Sequence, residues 1–184
     1  FGLLSVGPVD GHDLASLIEM LVEVREVDRP LLLHAHTVKG KGFKFAEKNA
    51  TTFHSPKPFA VKNTCVEMQP SGRSFTAAFS DALCDLMERD DKVVAATAAM
   101  PDGTGTTTAI EKFPNRAWDT GICESHTMDM LAGLAKTGHK PFFAVYSTFL
   151  QRAFDQLFQE VTLQGLPVRL CLDRAGVVGG DGPV

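Results

Sequence analysis

A repeated alternation of strands and helices in the second half of the chain constrains the fold more than any other feature of the sequence. A short strand around Trp118 is predicted to lead into a helix that ends at Gly138. The apolar run 141–146 is a predicted buried strand that leads into a helix from Ser147, and 167–172 is a third strand. Because strands that alternate with helices pair in parallel, we predict an α/β fold with a parallel sheet flanked by helices.

The loops that follow these strands carry side chains suited to chemistry. They hold carboxylates, an imidazole, a phenol and guanidinium groups: Glu124, His126, Tyr146, Arg152, Arg174 and Asp181. In an open α/β sheet, ligands bind beyond the carboxyl ends of the strands, so these side chains are predicted to meet at one crevice. Taken alone, Glu124 has a simpler interpretation, since an acidic residue at the start of a helix interacts favourably with the helix dipole.

Composition and charge argue against several classes of function. Hydrophobic residues make up 44% of the 184 residues, which is typical of a folded globular chain. The net charge of −4 gives no electrostatic reason to expect nucleic acid or an anionic membrane as a partner. No apolar run reaches the roughly 18 residues of a membrane-spanning helix. The four cysteines form no CxxC pair, so we expect free thiols in a reducing compartment.

The first part of the chain is predicted to contribute a helix and a strand. Asp13 follows a turn at 7–12 and is the predicted N-cap of the helix. The apolar stripe of this helix comprises Leu14, Leu17, Ile18, Leu21, Val22 and Val24. The run 31–36 is predicted to be a buried strand, on which His34 and His36 share a face. Two histidines without a third ligand nearby are more often structural, so we predict no metal site.

A basic, glycine-rich loop at 39–42 follows that strand. Such a loop can bring backbone N–H groups and a lysine towards phosphate oxygens, although a solvated lysine turn has the same composition. The range 55–72 is rich in proline and other turn formers and is predicted to be an extended linker between two domains. The second domain is predicted to begin near Arg73, with a helix whose apolar stripe runs from Phe75 to Leu86.

Several longer motifs are similar to one enzyme family almost residue for residue. They are the segments 7–12, 39–43, 46–47, 97–101, 146–156 and 173–182. Among them, 146–156 contains Tyr-Ser-Thr-Phe-Leu-Gln-Arg and 173–182 contains Asp-Arg-Ala-Gly-Val-Val-Gly-Gly-Asp-Gly. On these motifs the chain resembles the 1-deoxy-D-xylulose-5-phosphate synthase family, which are thiamine-diphosphate enzymes of the transketolase superfamily.

The resemblance implies a domain arrangement. It predicts a thiamine-diphosphate-binding fold in which 1–54 is the C-terminal part of an N-terminal, diphosphate-binding domain and 55–72 is a linker. Residues 73–184 would be a pyrimidine-binding domain that is truncated at its C-terminal end. We therefore expect this chain to be an internal piece of a longer protein, and to be inactive by itself.

The resemblance also implies a reaction and its participants. A transketolase-type transferase would condense pyruvate with D-glyceraldehyde 3-phosphate, with loss of CO₂, to give 1-deoxy-D-xylulose 5-phosphate. Thiamine diphosphate and Mg²⁺ would be the cofactors. The sequence Gly180-Asp181-Gly182 looks like the metal motif of such enzymes but lacks the Asn that should follow it, so the metal ligands are expected outside this chain. A cytoplasmic or plastid homodimer is the expected assembly.

Residue roles follow from the same resemblance. The implied catalytic residues are Glu124, His54 and His126. The implied cofactor-binding residues are Glu124, Phe149, Phe43 and Lys39, with Glu124 at ring nitrogen N1′ and Phe149 stacked on the pyrimidine. The implied substrate-binding residues are Tyr146, Arg152, Arg174 and Asp181, with the arginines predicted to converge on the substrate phosphate.

Two positions depart from the family pattern. Cys123-Glu124-Ser125-His126 stands where the family commonly has Ala-Glu-Gln-His, so contacts made by the Gln are in doubt. Phe43 stands where many members have Tyr, so a hydroxyl is missing. Two alternatives stay open. The chain could belong to another superfamily enzyme, such as a transketolase or a 2-oxoacid dehydrogenase β subunit, or to a non-catalytic, dimer-forming remnant.

Overall fold

The computed structural model describes residues 2–54, 56, 58–62, 65–68, 72–178 and 182–183. The chain divides into two compact units, Phe1–Pro70 and Ser71–Val184. No helix in the described part of the chain is both long and apolar enough to cross a membrane.

In the described residues, the first unit contains two small sheets and two helices. Its elements are β1 (Leu4–Asp10), α1 (Leu14–Val24), β2 (Leu31–His36), α2 (Lys44–Lys48), β3 (Phe59–Lys62) and β4 (Cys65–Met68). Strands β1 and β2 pair in parallel and are connected by α1, and β3 and β4 form an antiparallel hairpin. The predicted N-cap is confirmed, because the Asp13 carboxylate accepts hydrogen bonds from the backbone N–H groups of Ala15 and Ser16.

One prediction about this unit is wrong. The strand 31–36 forms, but it is not buried, and Leu32 is 49% exposed. The stripe of α1 is likewise uncovered, and none of its residues is buried. In the described residues the β1–β2 sheet has only two strands, which are too few to enclose a hydrophobic core. Within the range 55–72, the described residues form the β3–β4 hairpin, whose Phe59 ring packs edge-on against Phe53 at 5.4 Å.

The second unit is built around a parallel sheet, which confirms the predicted fold class. Its helices and strands are α3 (Phe75–Arg89), β5 (Val93–Thr97), α4 (Pro101–Thr104), α5 (Thr107–Lys112), β6 (Ala117–Asp119), α6 (Glu124–Lys136), β7 (Lys140–Tyr146), α7 (Ser147–Leu150), α8 (Phe154–Gln156), β8 (Arg169–Asp173), β9 (Val177–Val178) and β10 (Gly182–Pro183). A 3₁₀ turn (Gln151–Ala153) and a π-helix (Leu157–Thr162) flank α8. Strands β5 to β8 pair in parallel in the order β6-β5-β7-β8.

Both faces of this sheet are covered. Every residue of β5 is buried, as expected for a central strand with helices on both sides. One face packs against α6 through residues such as Phe143, Met128 and Leu131, and the other packs against α3 and α5 through Val93 and Leu83. The sheet is therefore a rigid support for the loops at its carboxyl edge.

The buried face of α3 differs from the predicted stripe. Phe75 is 96% exposed and Leu86 is 44% exposed, whereas Leu83, Cys84 and Met87 are buried. All three buried residues lie in the C-terminal half of the helix, and the partly buried Phe79 packs against the same cluster from the N-terminal half. The stop at Gly138 is confirmed, since this residue has φ of +90° and its N–H donates to the Ala135 carbonyl.

Candidate functional site

The strand order places a switch point between β5 and β7. After β5 the chain moves outward to β6 on one side, and then returns to β7 on the other side of β5. Loops that leave in opposite directions open a crevice at the carboxyl ends of such strands. The predicted site loops, which follow β6, β7 and β8, lie at this edge, and the loop after β5 joins them.

Four of the predicted site residues contact one another in a continuous series with Glu124. The Arg174 guanidinium carbon lies 4.3 Å from the Tyr146 ring centroid, and that ring stacks on Phe149 with centroids 5.5 Å apart. The Arg152 guanidinium lies 4.8 Å from the Phe149 centroid and donates a 2.5 Å hydrogen bond to Glu124 Oε1. The structure thus brings together five residues that lie at or after the carboxyl ends of three different strands: Arg174, Tyr146, Phe149, Arg152 and Glu124.

Glu124 is the buried charge of this series. It is the first residue of α6, and its side chain is 2% exposed. The side chain of Arg152 is 52% exposed. The resemblance predicts a substrate phosphate as the partner of Arg152, whereas the structure pairs it with Glu124, 28 residues away in the sequence. A buried carboxylate with a half-exposed guanidinium beside it can interact with a polar ligand that enters from the solvent side.

Tyr146 is held in place by a close backbone approach. It is the last residue of β7 and is 8% exposed. A Cβ added to Gly103 would lie 1.9 Å from the Tyr146 hydroxyl oxygen, so only glycine leaves room for that hydroxyl. Gly103 lies within α4, which begins shortly after the end of β5.

Asp119 connects two of the loops and was not predicted from the sequence. Its Oδ1 accepts hydrogen bonds from the backbone N–H groups of Ala99 at 2.7 Å and Gly121 at 2.9 Å. Ala99 has φ of +59°, a left-handed conformation that costs energy for a non-glycine residue. The hydrogen bond to Asp119 stabilises that conformation, so one carboxylate joins the loop after β5 to the loop after β6.

Arg174 also adopts a left-handed conformation, with φ of +53°. Its N–H donates to its neighbour Asp173 at 2.6 Å, and its carbonyl accepts from Ser147 Oγ at 2.8 Å. Arg174, Asp173 and Cys171 line a groove of about 600 Å³ that also reaches Phe79 and Thr104. Burial raises the pKa of the Cys171 thiol, which favours its uncharged form.

Two more of the predicted site residues, His126 and Asp181, belong to the second unit. His126 is exposed on α6, and the neighbouring Ser125 donates from Oγ to the Arg152 carbonyl at 2.6 Å. Asp181 lies outside the described residues. All four cysteines are free thiols, as predicted.

In the first unit, the glycine-rich loop is closed on itself. The N–H groups of Lys41 and Phe43 donate to Val38 and Gly40 carbonyls, and that of Gly42 donates to Glu47 at 2.9 Å. A phosphate would have to compete with these bonds, which weakens the prediction of a backbone phosphate site. Lys39 and His54 are exposed. Phe43 packs in an aromatic cluster with Phe45, Phe53 and Phe59.

Comparison with known proteins identifies the class of this fold and site. The family model "Transketolase, pyrimidine binding domain" matches residues 71–184, and a model of 1-deoxy-D-xylulose-5-phosphate synthase matches residues 1–37. The first match spans more than half of the chain. The chain therefore belongs to the transketolase pyrimidine-binding domain family.

The relatives described here carry the name of one enzyme. The chain is 47% identical over 181 residues to 1-deoxy-D-xylulose-5-phosphate synthase of Sulfurimonas denitrificans, a match that covers 98% of this chain and 30% of the relative. It is 49% identical over 181 residues to the synthase of Clostridium perfringens strain 13, with 98% and 29% covered. The chain thus spans about 30% of the length of such relatives. A solved split-gene transketolase, described as an inactive β4 tetramer, matches with TM-score 0.49 and 30% identity over 54% of this chain and 33% of that one.

Proposed function

We propose that the protein of which this chain is a part condenses pyruvate with D-glyceraldehyde 3-phosphate, releases CO₂ and forms 1-deoxy-D-xylulose 5-phosphate. The similarity to named synthases along 98% of the chain supports this reaction. The observation that carries it in the structure is the contact series from Arg174 to the buried Glu124, which sets a cation and a buried carboxylate at one sheet edge.

The residues of the second unit fit the pyrimidine part of thiamine diphosphate. When bound, this cofactor supplies a nucleophilic carbon and an electron sink for loss of CO₂ from a 2-oxo acid. A buried carboxylate can hydrogen-bond a ring nitrogen, and a half-buried aromatic ring can contact the ring face. Glu124 is 2% exposed, and Phe149 packs at the border of the core. We assign Glu124 to a hydrogen bond with ring nitrogen N1′, where it helps to hold a proton between the two groups. Phe149 is assigned to contact the face of the ring.

Arg152 takes a different role from the one that the sequence predicts. Its hydrogen bond to Glu124 Oε1 balances the buried carboxylate until a ligand binds there. Because the Arg152 side chain is 52% exposed, the guanidinium can turn towards solvent or substrate at little cost when a ring nitrogen takes its place. We therefore propose Arg152 as the partner of Glu124 first, and as a substrate contact second.

Arg174 is the proposed ligand of the substrate phosphate. It lines the groove at the end of β8, and the Tyr146 ring below it fixes the plane of the guanidinium. Tyr146 is proposed to contact the same acceptor, and Asp181 remains a proposed contact on the basis of resemblance. Arg174 thus binds and orients the aldehyde substrate while Glu124 serves the cofactor.

Several roles remain proposals from resemblance. His54 and His126 are proposed to move protons or contact substrate, and Lys39 and Phe43 to contact the cofactor. We propose Mg²⁺ as the metal, a cytoplasmic homodimer as the assembly, and 1–54, 55–72 and 73–184 as the domain division.

A product assay on the full-length protein tests the proposal. The protein is incubated with thiamine diphosphate, Mg²⁺, pyruvate and D-glyceraldehyde 3-phosphate, and 1-deoxy-D-xylulose 5-phosphate and CO₂ are measured by mass spectrometry. Glu124→Gln is the matched control, and we expect product formation to fall by about 10²-fold or more. Turnover of other donor–acceptor pairs without this product would favour another transketolase-type activity. No turnover with any 2-oxo acid or ketose phosphate would favour a non-catalytic remnant.

A further inference from the structure

Two serine hydroxyls make the same contact at the carboxyl edge of the sheet. Ser125 Oγ donates to the Arg152 carbonyl oxygen at 2.6 Å, and Ser147 Oγ donates to the Arg174 carbonyl oxygen at 2.8 Å. The two residues of each pair are 27 positions apart in the sequence. Each serine lies in the first turn of the helix after one strand, and each arginine follows the next strand along the chain. The contact therefore repeats from one strand–helix unit to the next.

The arginines that accept these bonds share a second feature. Each guanidinium lies over an aromatic ring at or just after the end of β7: Arg152 over Phe149 at 4.8 Å and Arg174 over Tyr146 at 4.3 Å. A stacked guanidinium has a defined plane, and its N–H groups point outward around the edge of that plane. Stacking fixes the end of the side chain, but the start of the side chain is fixed only where the backbone is held.

We propose that Ser125 and Ser147 are positioning residues that hold the backbone of Arg152 and Arg174 so that both guanidinium groups keep their places at the crevice. The part of this inference that concerns the phosphate of the acceptor rests on the proposed function. The part that concerns the backbone rests on the contacts of this chain alone.

The backbone of Arg174 needs such support. Its φ of +53° is unfavourable for a residue with a side chain, and a hydrogen bond to its carbonyl lowers the energy of that conformation. Without the bond, the loop can relax towards an ordinary conformation. A small rotation there is amplified along the long arginine side chain, which moves the guanidinium off the Tyr146 ring.

Ser125 links two charges of the site. It follows Glu124 on α6, and Arg152 donates to Glu124 while its own carbonyl accepts from Ser125. The 3₁₀ turn that carries Arg152 is thereby joined to the start of α6 through both backbone and side chain.

Crystal structures and amide hydrogen exchange of the full-length protein test the tethers without any assay of activity. The variants are Ser147→Ala and Ser147→Thr, with Ser74→Ala as a matched control, because the Ser74 hydroxyl also makes one hydrogen bond but caps α3 instead. We expect Ser147→Ala to move the Arg174 guanidinium off the ring and to speed exchange in the peptide around 172–176 by roughly three- to tenfold. Ser147→Thr keeps a hydroxyl and should restore both properties.

The same variants test the link to substrate. For Ser147→Ala we expect KM for D-glyceraldehyde 3-phosphate to rise roughly three- to tenfold, while KM for pyruvate and kcat change little. For Ser125→Ala we expect the opposite split, with kcat falling and KM for the aldehyde nearly unchanged, because its arginine contacts Glu124. Ser74→Ala should leave both kinetic constants unchanged.

The outcomes separate the two proposals. If Arg174 stays over Tyr146 in Ser147→Ala and exchange is unchanged, the tether is wrong whatever the enzyme does. If the loop moves and exchange speeds up but wild-type protein forms no 1-deoxy-D-xylulose 5-phosphate, the positioning role stands and the proposed function is wrong. If the loop moves and KM rises equally for unphosphorylated D-glyceraldehyde, Ser147 does not act through recognition of phosphate, and the proposal is overturned in that part.

Discussion

Replacing Arg152 with alanine should destabilise the chain more than neutralising Glu124 does. The two side chains form one ion pair, but Glu124 is 2% exposed and Arg152 is 52% exposed. Arg152→Ala leaves a buried carboxylate without its guanidinium, whereas Glu124→Gln leaves a guanidinium that can turn to water. The cost of breaking the pair therefore depends on which partner is removed.

The exposures set the size of the effect. Opposite charges about 4 Å apart attract by ~1 kcal/mol in water and ~4 kcal/mol at an effective dielectric constant near 20. Removing one partner of a fully buried pair costs about 3–5 kcal/mol. Because Arg152 is half exposed, we discount that range and expect about 2–3 kcal/mol for Arg152→Ala, including its lost contact with Phe149. For Glu124→Gln we expect about 1 kcal/mol.

Equilibrium urea unfolding of the chain and its variants measures these values. The double variant should be less destabilised than the sum of the single variants, with a coupling of about 1–2 kcal/mol. Arg89→Ala is the matched control, since its pair with Asp85 is exposed on both sides and should contribute less than about 1 kcal/mol. If Arg152→Ala costs no more than Glu124→Gln, or the two effects simply add, the pair does not stabilise the buried carboxylate.

Three further predictions follow from single contacts. Gly103→Ala places a Cβ 1.9 Å from the Tyr146 hydroxyl, so kcat/KM of the full-length protein should fall at least roughly tenfold; unchanged kinetics would mean that the ring has no fixed place. Arg174→Ala should raise KM for D-glyceraldehyde 3-phosphate roughly ten- to a hundredfold and leave KM for unphosphorylated glyceraldehyde nearly unchanged, and an equal rise for both would contradict the phosphate role. A hydrogen bond from Lys140 lowers the pKa of Asp90, so its stabilisation is complete above the ordinary aspartate pKa of about 3.9 and is lost as the pH falls through the lowered value. Thermal unfolding of wild type and Asp90→Asn should therefore differ at neutral pH and converge in acid.

The parts of the fold that the sequence predicts are those set by local patterns. The alternation of strands and helices after Trp118 predicts the parallel sheet, Asp13 predicts a helix start and Gly138 predicts a helix end. Burial in the first unit is different, because it depends on what covers a face. The apolar stripe of α1 is visible in the sequence, yet none of its residues is buried in the described chain.

The pairing inside the site could not be predicted in the same way. A local rule suggests Asp155 for Arg152, because residues three or four apart on a helix are neighbours. The partner that the structure shows is 28 residues away, on the helix that follows a different strand. Likewise, Asp119 reaches Ala99 across 20 residues, and Gly103 meets Tyr146 only because α4 lies beside the end of β7. Such contacts depend on strand order, which periodicity does not reveal.

Strand order also explains why two arginines with similar local contacts have different surroundings. Both follow a parallel strand, both accept a serine hydroxyl at the carbonyl, and both lie over an aromatic ring. Arg152 follows β7, in contact with the start of α6, so its guanidinium meets the buried Glu124. Arg174 follows β8 and lines the groove that reaches Thr104 and Phe79. The same local arrangement thus places one guanidinium against a buried carboxylate and the other beside an open groove, and the strand that each arginine follows decides which.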